Sequence, residues 1–149
     1  MREEQITRKI LNRLIEKDWQ ILSFDYPQSG TGIALRAESQ LRREKNLKNI
    51  IPDIVALRGD QAAIFENKVD FFAPDLESLH ALRSGSYDFS MRTALFREGY
   101  PSNIFYGIGL ENNPKNISKI RSHQVHLDFA LVVDALGAVE VTHGSEVFI

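Results

Sequence analysis

Ile51-Pro52-Asp53-Ile54-Val55-Ala56-Leu57-Arg58-Gly59-Asp60-Gln61-Ala62-Ala63-Ile64-Phe65-Glu66-Asn67-Lys68 is the stretch from which the rest of the chain can be read. Pro52 ends whatever precedes it, because the residue before a proline is disfavoured in helix. Asp53 to Leu57 then reads as a short apolar strand. Arg58-Gly59-Asp60-Gln61 has turn chemistry, and Ala62 to Lys68 reads as a second strand, so the two should form a hairpin. Ile54, Val55, Ile64 and Phe65 are apolar on both faces of that hairpin, which predicts a central place in a sheet. Charged residues at the end of a central strand need a reason.

Alternation along a strand puts Glu66 and Lys68 on one side with Ala62 and Ile64, and Phe65 and Asn67 on the other. Asp53 stands at the mouth of the partner strand, where hairpin pairing brings it towards Glu66. Two carboxylates offer hard oxygen ligands to Mg²⁺. Such an ion polarises a phosphoryl oxygen and lowers the pKa of a bound water. Lys68 is suited to orient that water or to neutralise developing charge, and the backbone carbonyl of Asn67 is a further candidate ligand. The plainer reading is a solvated hairpin with an ordinary Glu66–Lys68 ion pair.

Outward from the hairpin, the elements alternate. Residues 3–17 carry Ile6, Ile10, Leu11, Leu14 and Ile15 at helical spacing. Residues 19–26 suit a strand, followed by the loop Pro27-Gln28-Ser29-Gly30-Thr31-Gly32. Residues 35–49 are basic and rich in helix formers, which suggests a surface helix or an arm. A helix is expected over 75–83, with Asp75 as its N-cap, and another over 87–98. Asn103 to Leu110 is a buried-type strand, Pro114 to Ser122 a helix that begins with proline, and Phe129 to Val133 a strongly apolar strand that returns through Val139 to Thr142. Strands mixed with helices predict a single α/β domain over residues 1–149, with a mixed central sheet.

Composition narrows the function classes. The chain has 149 residues, 43% hydrophobic and 26% charged, enough for one domain with a core. No apolar run approaches a membrane span, the N-terminus lacks a secretory stretch, and cysteine is absent, so disulfides and thiolate metal sites are excluded. A cytoplasmic protein is the expectation. Net charge is −2, so no general nucleic-acid coating is implied. Basic residues do concentrate from Arg36 to Lys48, where Arg36, Gln40, Arg42, Arg43 and Lys45 are suited to phosphates or base edges. Solvated i, i+4 pairs such as Glu38–Arg42 explain that segment equally well. His80, His123, His126 and His143 are scattered without a third ligand, so zinc is not expected. Gly107 and Gly109 lack a following phosphate-binding helix and read as packing residues. No Walker lysine or Ser/His/Asp order is present.

With these residues in view, Ile51-Pro52-Asp53-Ile54-Val55 and Phe65-Glu66-Asn67-Lys68 together resemble the PD-(D/E)XK nuclease superfamily, which includes type II restriction endonucleases and archaeal-type Holliday-junction resolvases. The resemblance covers roughly the first two-thirds of the chain. It implies a restriction-endonuclease-like α/β/α sandwich and a Mg²⁺-dependent DNA endonuclease in which Mn²⁺ substitutes. Asp53 and Glu66 would be metal ligands and Lys68 the catalytic lysine. Many members add a glutamate from the first helix, and here the reading leans to Glu4 over Glu3. Ser29 resembles the phosphate-contacting serine of the resolvase loop. The roughly twenty residues between that loop and Pro52 depart from the resolvase pattern and favour a restriction-type enzyme. Such an enzyme is expected to act on DNA as a homodimer, with 129–142 or 75–83 as the interface.

Overall fold

The computed structural model describes residues 1–26, 31–38 and 49–149. Ser29, Gln40, Arg42, Arg43 and Lys45 lie outside these residues.

The first amphipathic run forms helix α1 (Glu3–Glu16), which buries Ile6, Thr7, Ile10, Leu11 and Leu14. Glu3 and Glu4 occupy its first turn, where negative charge suits the helix dipole. The helix stops at Asp18, whose φ of 66° is left-handed, while the Trp19 N–H bonds back to the Leu14 carbonyl at 3.0 Å.

Strand β1 (Gln20–Phe24) follows, shorter than its sequence window because Trp19 turns into the core. The hairpin expected at the centre forms as β2 (Ile54–Arg58) and β3 (Gln61–Asn67), paired from Ile54↔Phe65 to Arg58↔Gln61. Its two-residue loop has Gly59 at φ +61°, a conformation glycine adopts without penalty at the first position of a hairpin turn. The chain continues through α2 (Leu76–Arg83), α3 (Asp88–Ala94), β4 (Asn103–Glu111), α4 (Pro114–Ser122), β5 (Phe129–Val133) and β6 (Val139–His143).

The six strands make one sheet in the order β1-β2-β3-β4-β5-β6. β1, β2 and β3 pair antiparallel, β3, β4 and β5 parallel, and β6 antiparallel to β5. Ile54, Val55, Ile64 and Phe65 are fully buried, as expected for strands covered on both faces. α1 covers one face over Phe65, Phe129 and Leu131. Leu79, Leu82, Met91 and Ile120 from α2, α3 and α4 cover the other. The expected α/β/α sandwich with a mixed central sheet is thus the observed architecture. Among the described residues no helix is long and apolar enough to cross a membrane.

Gly107 and Gly109 are packing residues. A side chain at Gly107 would collide with the ring and carbonyl of Phe129, and one at Gly109 with Ile10 and Asn67.

Two expectations need correction. The helix foreseen over 87–98 ends at Ala94, because Leu95 and Phe96 leave it to enter the core. The described part of the basic segment, residues 35–38, is not helical. Leu35 bridges Ile50 and is buried with Ala37, while Arg36 and Glu38 are exposed. That is the period of an extended chain, which the helix-forming composition obscured.

Candidate functional site

The mouth of the β2–β3 hairpin is where the ladders converge. The Asp53 N–H donates to the Phe65 carbonyl at 3.0 Å, and the Asp53 carbonyl accepts from the Asp25 N–H at 2.9 Å. Asp53 therefore extends the pairing of β2 with both neighbours, and its backbone is fixed. Its Oδ2 then accepts the Asn67 N–H at 2.6 Å, so a carboxylate completes the ladder. One residue later, the Lys68 N–H donates to the Gly109 carbonyl at 2.9 Å. Glu66 and Lys68 are in this way carried on a backbone tied to β2 on one side and β4 on the other.

The structure brings Asp53, Glu66 and Lys68 together. Asp53 is buried, and the Glu66 side chain is 16% exposed. Lys68 Nζ lies 3.9 Å from Glu66 Oε1 and 3.8 Å from Glu3 Oε1. The first-helix acid at the cluster is therefore Glu3, and the leaning to Glu4 is corrected: Glu4 Oε1 turns away to Arg8 at 2.6 Å, at an exposed site.

The rotation of α1 explains the choice. Thr7, one turn beyond Glu3, is buried and accepts a hydrogen bond from Asn67 Nδ2 at 3.1 Å. Residues four apart share a helix face, so the contact that seats Thr7 on Asn67 also aims Glu3 at Lys68. Asn67 itself is fully buried, and its Oδ1 has no hydrogen-bond partner. The bare face of Gly109 makes room for it.

The electrostatics follow from this crowding. Burial raises the Asp53 carboxyl to about 7, with Glu3 adding to the effect and the Asn67 hydrogen bond opposing it. Burial and the nearby Asp53 raise Glu66 to about 8. For Lys68, burial favours the neutral amine, but Glu3, Glu66, Asp75 and Asp53 outweigh it and hold the ammonium charged. Two acids pressed together in a half-dry site favour a proton or a cation between them.

Among the described residues no group of three or more His, Cys, Asp and Glu is arranged to hold a metal. The donor set is the pair Asp53 and Glu66. Two carboxylates fit Mg²⁺, which binds through one or two such groups and keeps several waters.

Two further acids act on the cluster that the sequence did not mark as part of it. Asp25, at the end of β1, adds to the field on Asp53. Asp75 adds to that on Glu66 and Lys68. Asp75 does precede α2, but its side chain makes no capping bond. It instead lines a small hollow with Glu66, Lys68, Phe71, Phe72 and Leu76, of about 10 Å³. Its i, i+3 relation to Phe72 and its place before an apolar helix look the same in sequence as a cap. Arg36 is exposed beside α3, its N–H bonded to Ser90 Oγ at 3.0 Å, and no described contact joins it to the acids.

No family model matches the chain, and no curated protein matches it significantly. Among solved structures, an XisH family protein from Nostoc punctiforme is similar at 14% identity and a TM-score of 0.45, over 91% of this chain and 96% of that one. An fdxN element excision controlling factor protein from Anabaena variabilis is similar at 16% identity and the same TM-score of 0.45, over 93% and 98%.

Proposed function

We propose that this chain is a Mg²⁺-dependent endonuclease that hydrolyses DNA phosphodiester bonds, built on the restriction-endonuclease-like sandwich. One observation carries the reading. Asp53 is buried and Glu66 half-buried beside it on backbone fixed by the sheet, with Lys68 charged against Glu66. An uncompensated pair of this kind destabilises the fold, so its retention is explained by a cation.

Asp53 and Glu66 would hold the metal, which when bound activates water and neutralises phosphoryl oxygen. Asp53 Oδ2 is already fixed by the Asn67 N–H, so its remaining oxygen is free to face the ion. The Lys68 ammonium sits between Glu66 and Glu3, where it can orient the attacking water and stabilise charge on the phosphate. Glu3 holds Lys68 protonated and in place. One form is a type II restriction enzyme, cutting both strands as a homodimer. A junction resolvase or repair nuclease is the second form, distinguished by substrate. A non-catalytic nucleic-acid-binding module would lack metal binding altogether.

The test is cleavage of supercoiled plasmid, linear duplex and a four-way junction with Mg²⁺. Asp53→Ala and Lys68→Ala should each lower the rate by about 100-fold or more. Glu3→Gln should lower it, and Glu4→Gln should leave it near wild type. Metal-dependent cutting that survives both alanine substitutions would remove the site. Absence of both cutting and Mg²⁺ binding by the pure wild-type protein would favour the binding module.

A further inference from the structure

Phe71 and Phe72 are adjacent in sequence but opposite in environment. Phe71 is buried, with its ring centroid 4.7 Å from that of His123. Phe72 is 62% exposed and joins neither hydrophobic core. It nevertheless stands on fixed backbone. The Phe71 N–H donates to Oδ1 of the fully buried Asn116 at 2.9 Å, and the Phe72 carbonyl accepts from the Asp75 N–H at 2.9 Å. The exposed ring lines the hollow that also contains Glu66, Lys68 and Asp75. That hollow is about 10 Å³, room for roughly one water, so no base can enter it. Phe72 is the exposed aromatic residue among those lining it, so it offers a face to a flat ligand beside the cluster.

We propose that Phe72 stacks on a nucleobase adjacent to the phosphate held at the cluster, and that the preferred substrate is nucleic acid with an unstacked base, at a branch, flap or single-stranded end. This rests on the nuclease reading above and specifies its substrate class. In an uninterrupted duplex the base faces are already covered by their neighbours, so the ring gains a partner only where a base is splayed out. Base–aromatic stacking is sequence-tolerant, which suits recognition of a structure over a sequence. It thereby shifts weight, within the nuclease reading, from the restriction form to the branch-cutting form.

The test is fluorescence anisotropy with a labelled four-way junction and a labelled duplex of the same arms. It is done in Mg²⁺ on the Lys68→Ala background, so that the nucleic acid stays intact. Adding Phe72→Ala should raise the junction Kd about ten-fold and leave the duplex Kd unchanged, and Phe72→Trp should restore junction binding. Phe89, 68% exposed on α3 and outside the hollow, is the control: Phe89→Ala should change neither. Equal junction and duplex affinities, a junction Kd indifferent to Phe72, or no binding of either nucleic acid would overturn the proposal. The nuclease reading fails separately, by absence of both cutting and Mg²⁺ binding in the wild-type protein.

Discussion

Asp53→Asn is expected to stabilise the metal-free protein at pH 8 while removing its metal-dependent activity. In the folded protein Asp53 and Glu66 titrate near 7 and 8, above their ordinary values of 3.8 and 4.5. Between about pH 4 and 8 the native state therefore holds protons that the unfolded chain has released. Stability falls with pH wherever the native state binds more protons, so the wild type should be most stable near pH 4 to 5 and weaken through neutrality. One pKa unit corresponds to about 1.4 kcal/mol, and the Asp53 shift alone sets a ceiling of about 4 kcal/mol. Relaxation of the pair makes about 2 kcal/mol at pH 8 the realistic size. Asparagine keeps an oxygen for the Asn67 N–H and lifts the repulsion on Glu66, so its stability profile should be flatter and meet the wild type near pH 4. Mg²⁺ at a hundred times its Kd should return about 2.7 kcal/mol to the wild type and nothing to Asp53→Asn. Urea unfolding in EDTA and in Mg²⁺, at pH 4.5 and 8, measures all of this. A wild type that gains stability with pH in EDTA would refute the account.

Asn116→Ala is expected to cause the largest loss of stability outside the hydrophobic core. Asn116 is fully buried at the start of α4. Its Oδ1 accepts from the Phe71 N–H at 2.9 Å, and its Nδ2 donates to the carbonyls of Val69 at 2.9 Å and Glu111 at 2.8 Å. Alanine strands the Phe71 N–H and the Glu111 carbonyl and takes one of two hydrogen bonds from the Val69 carbonyl, which also accepts from the Glu111 N–H at 3.1 Å. Each buried unsatisfied group is worth about 1–3 kcal/mol, so a loss of about 3 kcal/mol or more is expected by urea unfolding. The same bonds hold the segment after Lys68 that carries Phe71 and Phe72, so DNA cleavage should fall as well, even well below the new melting temperature. A loss under about 1 kcal/mol with unchanged cleavage would show that the loop is held by other means.

The sheet and the acid pair were legible because their signals are local. Ile54, Val55, Ile64 and Phe65 announce a hairpin covered on both sides, and its pairing brings Asp53 towards Glu66 without help from distant residues, while the register itself was seen only in the structure. Glu3 against Glu4 was not legible. That choice depends on how α1 sits on the sheet, which shows in the seating of Ile6, Thr7 and Ile10 and in the hydrogen bond between Thr7 and Asn67, sixty residues apart in sequence. A polar residue inside an apolar stripe carries no such message on its own. Asp75 was misread for a similar reason, since a helix-preceding acid looks like a cap until its side chain is seen lining the hollow. At residues 35–38 the composition of the whole basic segment masked a short alternation of buried and exposed residues.

The hairpin turn at Gly59 has a kinetic consequence. A two-residue turn closes early, on the microsecond scale of isolated hairpins, whereas β4 and β5 join in parallel only after the intervening helices are placed, which is slow for non-local pairings. Asp53 and Glu66 are thus forced together while most of the chain is unstructured. Their repulsion then weighs on the folding barrier, and that part of the energy change should appear in the refolding rate, while the larger part, due to burial, is felt only as the sheet is covered. Stopped-flow refolding at pH 8 without metal should be faster for Asp53→Asn than for wild type, and the two rates should converge in acid.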